Sequence, residues 1–182
     1  SLLILWFLST STFAGYFKQG DLWYYFSNAS STTVSVASDQ TNANYSGLKT
    51  VVIPDSVENN EKKYAVTGIN KEAFYGCSAL EQVTLPAGLT SIGESAFREC
   101  SQLSHVVFPS TINHIGDLAF FETPWDNNLP DEELYIGSAL YKTAYDIRSA
   151  EVKEGTTCIC SSAFACHLNL TSVNLPNTVK YI

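Results

Sequence analysis

Residues 92–120 read IGESAFRECSQLSHVVFPSTINHIGDLAF, and one frame occurs in that stretch twice. Ile92 is followed four and five residues later by Ala96-Phe97, and Ile115 by Ala119-Phe120, a step of 23 residues. The frame recurs upstream, where Ile69 leads to Ala73-Phe74, and downstream, where Ile159 leads to Ala163-Phe164. Ile182 falls 23 residues after Ile159. The step from Ile115 to Ile159 is 44 residues, two periods less two, so a degenerate unit is expected between them. Self-similarity at a fixed period of this length is the mark of a repeat architecture.

A second pattern runs in phase with the first. CSALEQVTLP (77–86), CSQLSHVVFP (100–109) and HLNLTSVNLP (167–176) share Leu-x-x-Val-x-(Leu/Phe)-Pro. Leu48, Val51, Ile53 and Pro54 give an earlier copy. Side chains alternate along a strand, so Val83 and Leu85 are expected to point inward and Gln82 and Thr84 outward. Stacked coils would pair such strands into a parallel sheet, with the inward rows forming one core that no single coil can bury alone. Proline has no N–H for the ladder, so Pro54, Pro86, Pro109 and Pro176 should end each strand at one level. Gly93 suits a tight turn, and Ala96-Phe97 would lie on the inner side of one or two helical turns.

These residues resemble the leucine-rich repeats of the BspA-like family, over roughly residues 48–182. The resemblance implies a β-dominated α/β solenoid, a right-handed superhelix with short parallel strands on one face and short helical turns on the other. It also implies a secreted or cell-surface protein, without enzymatic activity or cofactor, that mediates adhesion. Its partner would be a protein or glycan on a host or neighbouring cell surface. A spacer displaying another domain is the alternative role.

Composition fits this reading. The 182 residues are 45% hydrophobic and only 15% charged, which is too apolar for disorder. A net charge of −8 with ten scattered Lys and Arg provides no basic stripe for nucleic acid. LLILWFLST (2–10) is too short to span a bilayer comfortably. With Thr12 and Ala14 at the −3 and −1 positions of a cut, it reads as the remnant of a secretory signal over residues 1–14. No other apolar run suggests an integral membrane span. The chain is thus expected to begin inside its signal and to stop within the repeats.

Residues 15–47 carry no repeat. DLWYYFSNASSTTVSVAS (21–38) reads as two strands forming a β-hairpin cap, with Trp23, Tyr24 and Tyr25 covering the first coil or, less simply, offering an aromatic platform. Two hairpin insertions are expected, near residues 55–66 (SVENNEKKYAVT) and 122–149 (TPWDNNLP, then DEELYIGSALYK). Both are expected to project from the stack, the second interrupting the regular coil without breaking the domain. Trp125, Tyr135 and Tyr141 should pack on each other or on Phe120-Phe121. SAEVKEG (149–155) should resume the register at Ala150 and Val152.

Five cysteines bear on chemistry. Cys77 and Cys100 hold equivalent places, filled by His167 in the last full unit, which makes packing their simplest role. A Cys77–Cys100 bridge stays open, as does pairing of Cys166 with Cys158 or Cys160. The Cys158/Cys160/Cys166/His167 set lacks the usual zinc knuckle spacing. A hydrolase built on Cys166 or Cys160 has no orienting third residue in view. The acidic run PDEE (130–133) reads as a solvated loop, and Asn28, Asn44 and Asn169 are glycosylation sequons that matter only in a eukaryote. What is left is the outward row of the sheet: Thr50 and Val52, Gln82 and Thr84, His105 and Val107, Ser149 and Glu151, Ser172 and Asn174. Small and almost uncharged, it reads as a partner-binding face or equally as a solvated sheet face, with the projecting hairpins as the competing contact surface.

Overall fold

A computed structural model describes residues 14–38 and 45–182. The signal-like run, apart from Ala14, and the sequon at Asn44 lie outside the described residues. In chain order the strands are β1 (Gly15–Gln19), β2 (Leu22–Phe26), β3 (Thr33–Ala37), β4 (Thr50–Val52), β5 (Ser56–Asn59), β6 (Lys62–Ile69), β7 (Gln82–Thr84), β8 (Ser91–Ile92), β9 (His105–Val107) and β10 (His114–Ile115). Helix α1 (Pro124–Asn127) is followed by β11 (Leu134–Ile136), β12 (Ala139–Lys142), β13 (Ser149–Glu151), β14 (Cys158–Ile159) and β15 (Ser172–Asn174).

Each regular coil has three sides. On the first, β4, β7 and β9 pair in parallel, aligning Val51 with Val83 and Val83 with Val106. Each of these strands ends two residues before its proline, as does β15. On the second side, β6, β8 and β10 pair in parallel and align Ile69, Ile92 and Ile115. The third side is where one or two helical turns were expected. Instead, alternate amides reach across to the next coil. Glu72, Phe74 and Gly76 N–H donate to the carbonyls of Glu94, Ala96 and Arg98, and Ser95, Phe97 and Glu99 N–H to those of Asp117, Ala119 and Phe121, all at 2.7–2.9 Å. The amides between them, on Ala73, Tyr75 and Cys77, donate three residues back at 3.1–3.2 Å. An α-helix needs every amide for its own i−4 carbonyl, and these are committed elsewhere. Positive φ at Glu72, Ser95 and Leu118 and again at Gly76, Glu99 and Glu122 breaks the helical path once per turn. Among the described residues the sole α-helix is the four-residue α1.

The core runs along the stack axis. Phe74, Phe97 and Phe120 are fully buried and stack with ring centroids 5.0 and 5.1 Å apart, nearly parallel at 3° and 7°. Tyr45 extends the column by packing 5.1 Å from Phe74. Ala73, Ala96 and Ala119 leave room for these rings, and Leu80, Leu103, Cys77 and Cys100 fill the corner toward the first side. Gly93 has a reason other than a turn. A Cβ there would lie 2.4 Å from the Lys71 amide nitrogen, and at Gly116 it would lie 2.5 Å from that of Glu94. Both glycines let successive coils approach backbone to backbone.

The N-terminal region has three strands rather than two. β1, β2 and β3 form an antiparallel meander, and β3 pairs in parallel with β6, so that one seven-stranded sheet passes from the meander into the second side of the coils. The Ser56–Asn59 and Lys62–Ile69 strands form the expected hairpin, turning at Asn60-Glu61 with φ of 50° and 63°. It does not project. Val57 and Tyr64 are buried, and Tyr64 packs on Phe17 and Phe26 at 5.9 and 6.0 Å.

Residues 122–149 also differ from a projecting hairpin. Thr123 caps α1, accepting from the Asp126 N–H at 3.1 Å, with Pro124 in the first turn. β11 and β12 pair antiparallel, but β12 then pairs in parallel with β14, aligning Leu140 with Ile159. Ser138 N–H reaches the Ile112 carbonyl at 2.8 Å, linking β12 back to the preceding coil. The hairpin thus supplies the second-side strand of the degenerate unit. Trp125 packs on Phe120 (4.8 Å) and Tyr141 (5.4 Å), whereas Tyr135 lies apart, beneath the Lys153 ammonium. On the first side β13 pairs with β15 and aligns Ala150 with Val173, the register read from SAEVKEG.

Phe97→Ala should cost about 3–5 kcal/mol in urea unfolding, because it removes the middle ring of the column. Phe164→Ala, at a half-buried position, should cost clearly less. Burial raises the Tyr24 pKa from 10.0 to about 12. Since the folded value lies above the unfolded one, neutral Tyr24 contributes fully below pH 10, and the contribution is lost as pH rises toward 12. Stability measured across that window should fall with pH, and Tyr24→Phe should make the fall shallower.

Candidate binding surface

The first side places the expected outward row in two groups. Thr50, Gln82 and His105 align across β4, β7 and β9, and so do Val52, Thr84 and Val107. All are exposed except the half-buried Thr84, and two apolar members stand well out, Val52 at 68% and Val107 at 53%. The alternating partners Val51 and Val83 are buried, which fixes the direction of the row. A Lys49–Glu81 ion pair of 3.3 Å sits at its rim, and His105 Nδ1 lies 2.9 Å from the Ser104 hydroxyl.

Ser149 with Ser172, and Glu151 with Asn174, align on the separate β13–β15 sheet. There Asn174 Nδ2 donates to Glu151 Oε1 at 2.8 Å. The ten residues therefore do not form one strip. The coil between them has no first-side strand, because its residues go to α1 and the approach to β11.

A cleft of about 410 Å³ opens at this interruption. Phe108, Trp125, Leu129, Leu134 and Tyr135, all half-buried, line it. Its Phe108 and Trp125 rings are 5.1 Å apart. The acidic residues Asp131, Glu132 and Glu133 follow Leu129 and Pro130 directly and are exposed. Glu133 pairs with Lys153 at 2.9 Å, and Lys153 Nζ lies 4.0 Å from the centre of the Tyr135 ring. The repeat pattern gave no hint of this cleft. The only signal was the pair of prolines enclosing an aromatic residue in TPWDNNLP.

None of the five cysteines is in a disulfide, so none of the bridges left open by the sequence is formed. Cys100 Sγ donates to the Phe74 carbonyl at 3.0 Å. Its contact with Cys77 and then its burial push its pKa far up, away from thiolate chemistry. The proximity of Cys158 and Cys160 lowers the Cys158 thiol against the opposing effect of burial, and with burial it raises that of Cys160. Cys166 is exposed on a different turn from this buried pair. Its neighbour His167 does not serve it. His167 Nδ1 lies 2.8 Å from the Ala165 carbonyl, and Nε2 lies 2.7 Å from that of Ala144 and 2.9 Å from the Thr143 hydroxyl, so the ring is engaged with these groups and not with the Cys166 thiol. Among the described residues no group of three or more His, Cys, Asp or Glu could hold a metal ion.

The family described as BspA type leucine rich repeat region matches residues 67–182, in six copies. No curated protein sequence is similar to the chain at a significant level. Among solved structures, a leucine-rich repeat protein from Bacteroides ovatus is 28% identical with a TM-score of 0.58. The match covers 90% of this chain, which spans only 42% of that protein. A T. pallidum leucine-rich repeat protein is 20% identical with a TM-score of 0.52, over 93% of this chain and 83% of that one. One from Bacteroides capillosus is 18% identical at a TM-score of 0.50, over 91% and 96%. The last two support the fold alone.

Cysteine accessibility separates packing from reactivity. A maleimide reagent should label Cys166 alone in the native chain and all five cysteines in denaturant, read by intact mass. Labelling of Cys77 or Cys100 in the native chain would contradict their place in the core.

Proposed function

The chain belongs to the BspA-type leucine-rich-repeat family, and on that premise we propose that it is a non-enzymatic, secreted or cell-surface module that binds a partner through the exposed side of β4, β7 and β9. The carrying observation is the row of Thr50, Val52, Gln82, Thr84, His105 and Val107, held in register on a rigid sheet whose other side is the core. Such a surface is small-featured, nearly uncharged and flat. It carries two exposed valines, Val52 and Val107, on either side of Thr84. These apolar members favour a protein over a glycan as the partner. The surface location is supported by the family and by the signal-like run in the sequence. No helix among the described residues is long and apolar enough to cross a membrane.

Pull-down from a biotinylated cell-surface protein fraction, with the immobilised chain as bait, tests this reading. The combined substitution Gln82→Lys, Thr84→Lys, His105→Lys and Val107→Lys should abolish enrichment of the captured proteins while leaving the thermal midpoint within a few degrees of wild type. Equal capture by the variant would remove the face from consideration.

A further inference from the structure

We propose that the cleft between β9 and the β11–β12 hairpin receives an extended, basic segment of the partner protein, which adds to the open edge of β9 and seats one apolar side chain on Trp125 and Tyr135. The proposal rests on the reading of the first side as a protein-binding surface and goes further, by naming the chemistry of the occupant.

Three observations carry it. The first is the edge. The first-side sheet ends at β9, since β13 pairs only with β15. In a parallel ladder both backbone groups of a residue point to the same side. His105 N–H donates to Glu81 and the Val107 carbonyl accepts from Leu85, so these two residues face β7. Val106 and the Phe108 N–H therefore point away from β7, no described residue bonds them there, and Phe108 lines the cleft. The Leu103 carbonyl at the entrance is already taken by Trp125 N–H at 2.9 Å, which sets the start of the free stretch. An unpaired edge of this kind is a template for an added strand.

The second is the floor. Beside that edge lie Phe108, Trp125, Leu134 and Tyr135, half-buried around a space of about 410 Å³. Such a space is large enough for one aromatic or large aliphatic side chain together with its neighbours.

The third is charge. Glu132 and Glu133 stand exposed in the segment that leads into Leu134 of the cleft, Glu133 ion-paired with Lys153, whereas Asp131 accepts from the Tyr145 N–H at 2.9 Å and lines a second cleft. The Tyr135 ring already accepts the Lys153 ammonium on its face. With a net charge of −8 on the whole chain, the complementary occupant carries lysine or arginine beside its apolar anchor.

The test follows the tryptophan indole signals of the ¹⁵N-labelled chain during titration with synthetic heptapeptides. The probe has a central phenylalanine flanked by two lysines on each side within an acetylated, amidated backbone. A control carries glutamates in place of the lysines, and a second carries serine in place of phenylalanine. The lysine–phenylalanine peptide should shift the Trp125 indole signal, assigned with Trp125→Phe, and leave that of Trp23 in place. Both controls and the Glu132→Lys variant should bind at least about tenfold more weakly. The rim substitution lies at an exposed position, so the result does not depend on a variant that alters the core. No shift at Trp125, or equal binding of the glutamate control or of the rim variant, overturns the cleft. If the first-side lysine variant loses partner capture while the peptide leaves Trp125 unmoved, the cleft falls and the face reading stands. If the wild-type chain captures no partner yet binds the peptide with the stated selectivity, the face reading falls and the cleft stands.

Discussion

Backbone hydrogen bonds hold successive coils at the spacing of paired strands, and the rest of the structure depends on that separation. Paired strands lie about 4.7–4.9 Å apart. The Phe74, Phe97 and Phe120 rings are spaced at 5.0 and 5.1 Å because their backbones are tied at that distance on three sides. At this step every inward side chain packs on its own counterpart in the next coil. Similar shape at equivalent positions is then favoured by packing. A ring stacks on a ring and an isoleucine on an isoleucine, while the row of Ile53, Leu85 and Phe108 varies within apolar residues. Glycine is required where two backbones meet with no side chain between them, at Gly93 and Gly116.

That requirement made much of the fold legible. The Val51, Val83 and Val106 row, the Ile69, Ile92 and Ile115 row, the level of the prolines and the return of register at Ala150 follow from a period that side chains must obey. The third side of the coil was not legible in the same way. Its ladder is made by main-chain groups, which any residue carries, so AFREC could be read as helical without conflict with its side chains. The positive φ values that reject the helix fall on Glu72, Ser95 and Leu118, none of which announces such a conformation. β1 escaped notice because GYFKQ is short and alternates only weakly.

The candidate surface was legible residue by residue but not as a whole. Alternation fixed which side chains face out, and their exposure agrees with it. Continuity of the row was assumed from the period and does not hold, because the degenerate unit spends its residues on α1 and a hairpin rather than on a first-side strand. The cleft that results draws Phe108 from one coil and Trp125, Leu134 and Tyr135 from the insertion. No fixed spacing links those positions, so no pattern in the chain could have joined them. The cysteines were legible as packing residues from the exchange of Cys77 and Cys100 for His167, which keeps a place in the unit by hydrogen-bonding carbonyls instead of filling a void.

The interruption has a kinetic consequence. Contacts between regular coils span about one period, so ordering one coil brings the docking surface of the next within a short loop, and folding can spread along the stack. Between β9 and β13 the first side offers no pairing across which order could pass. Communication there runs through the second side, where Ser138 meets Ile112 and the Thr157 hydroxyl reaches the Asn113 carbonyl across 44 residues, and through the Phe120–Trp125–Tyr141 cluster. The order of the β13–β15 pair therefore depends on contacts made on another side of the coil.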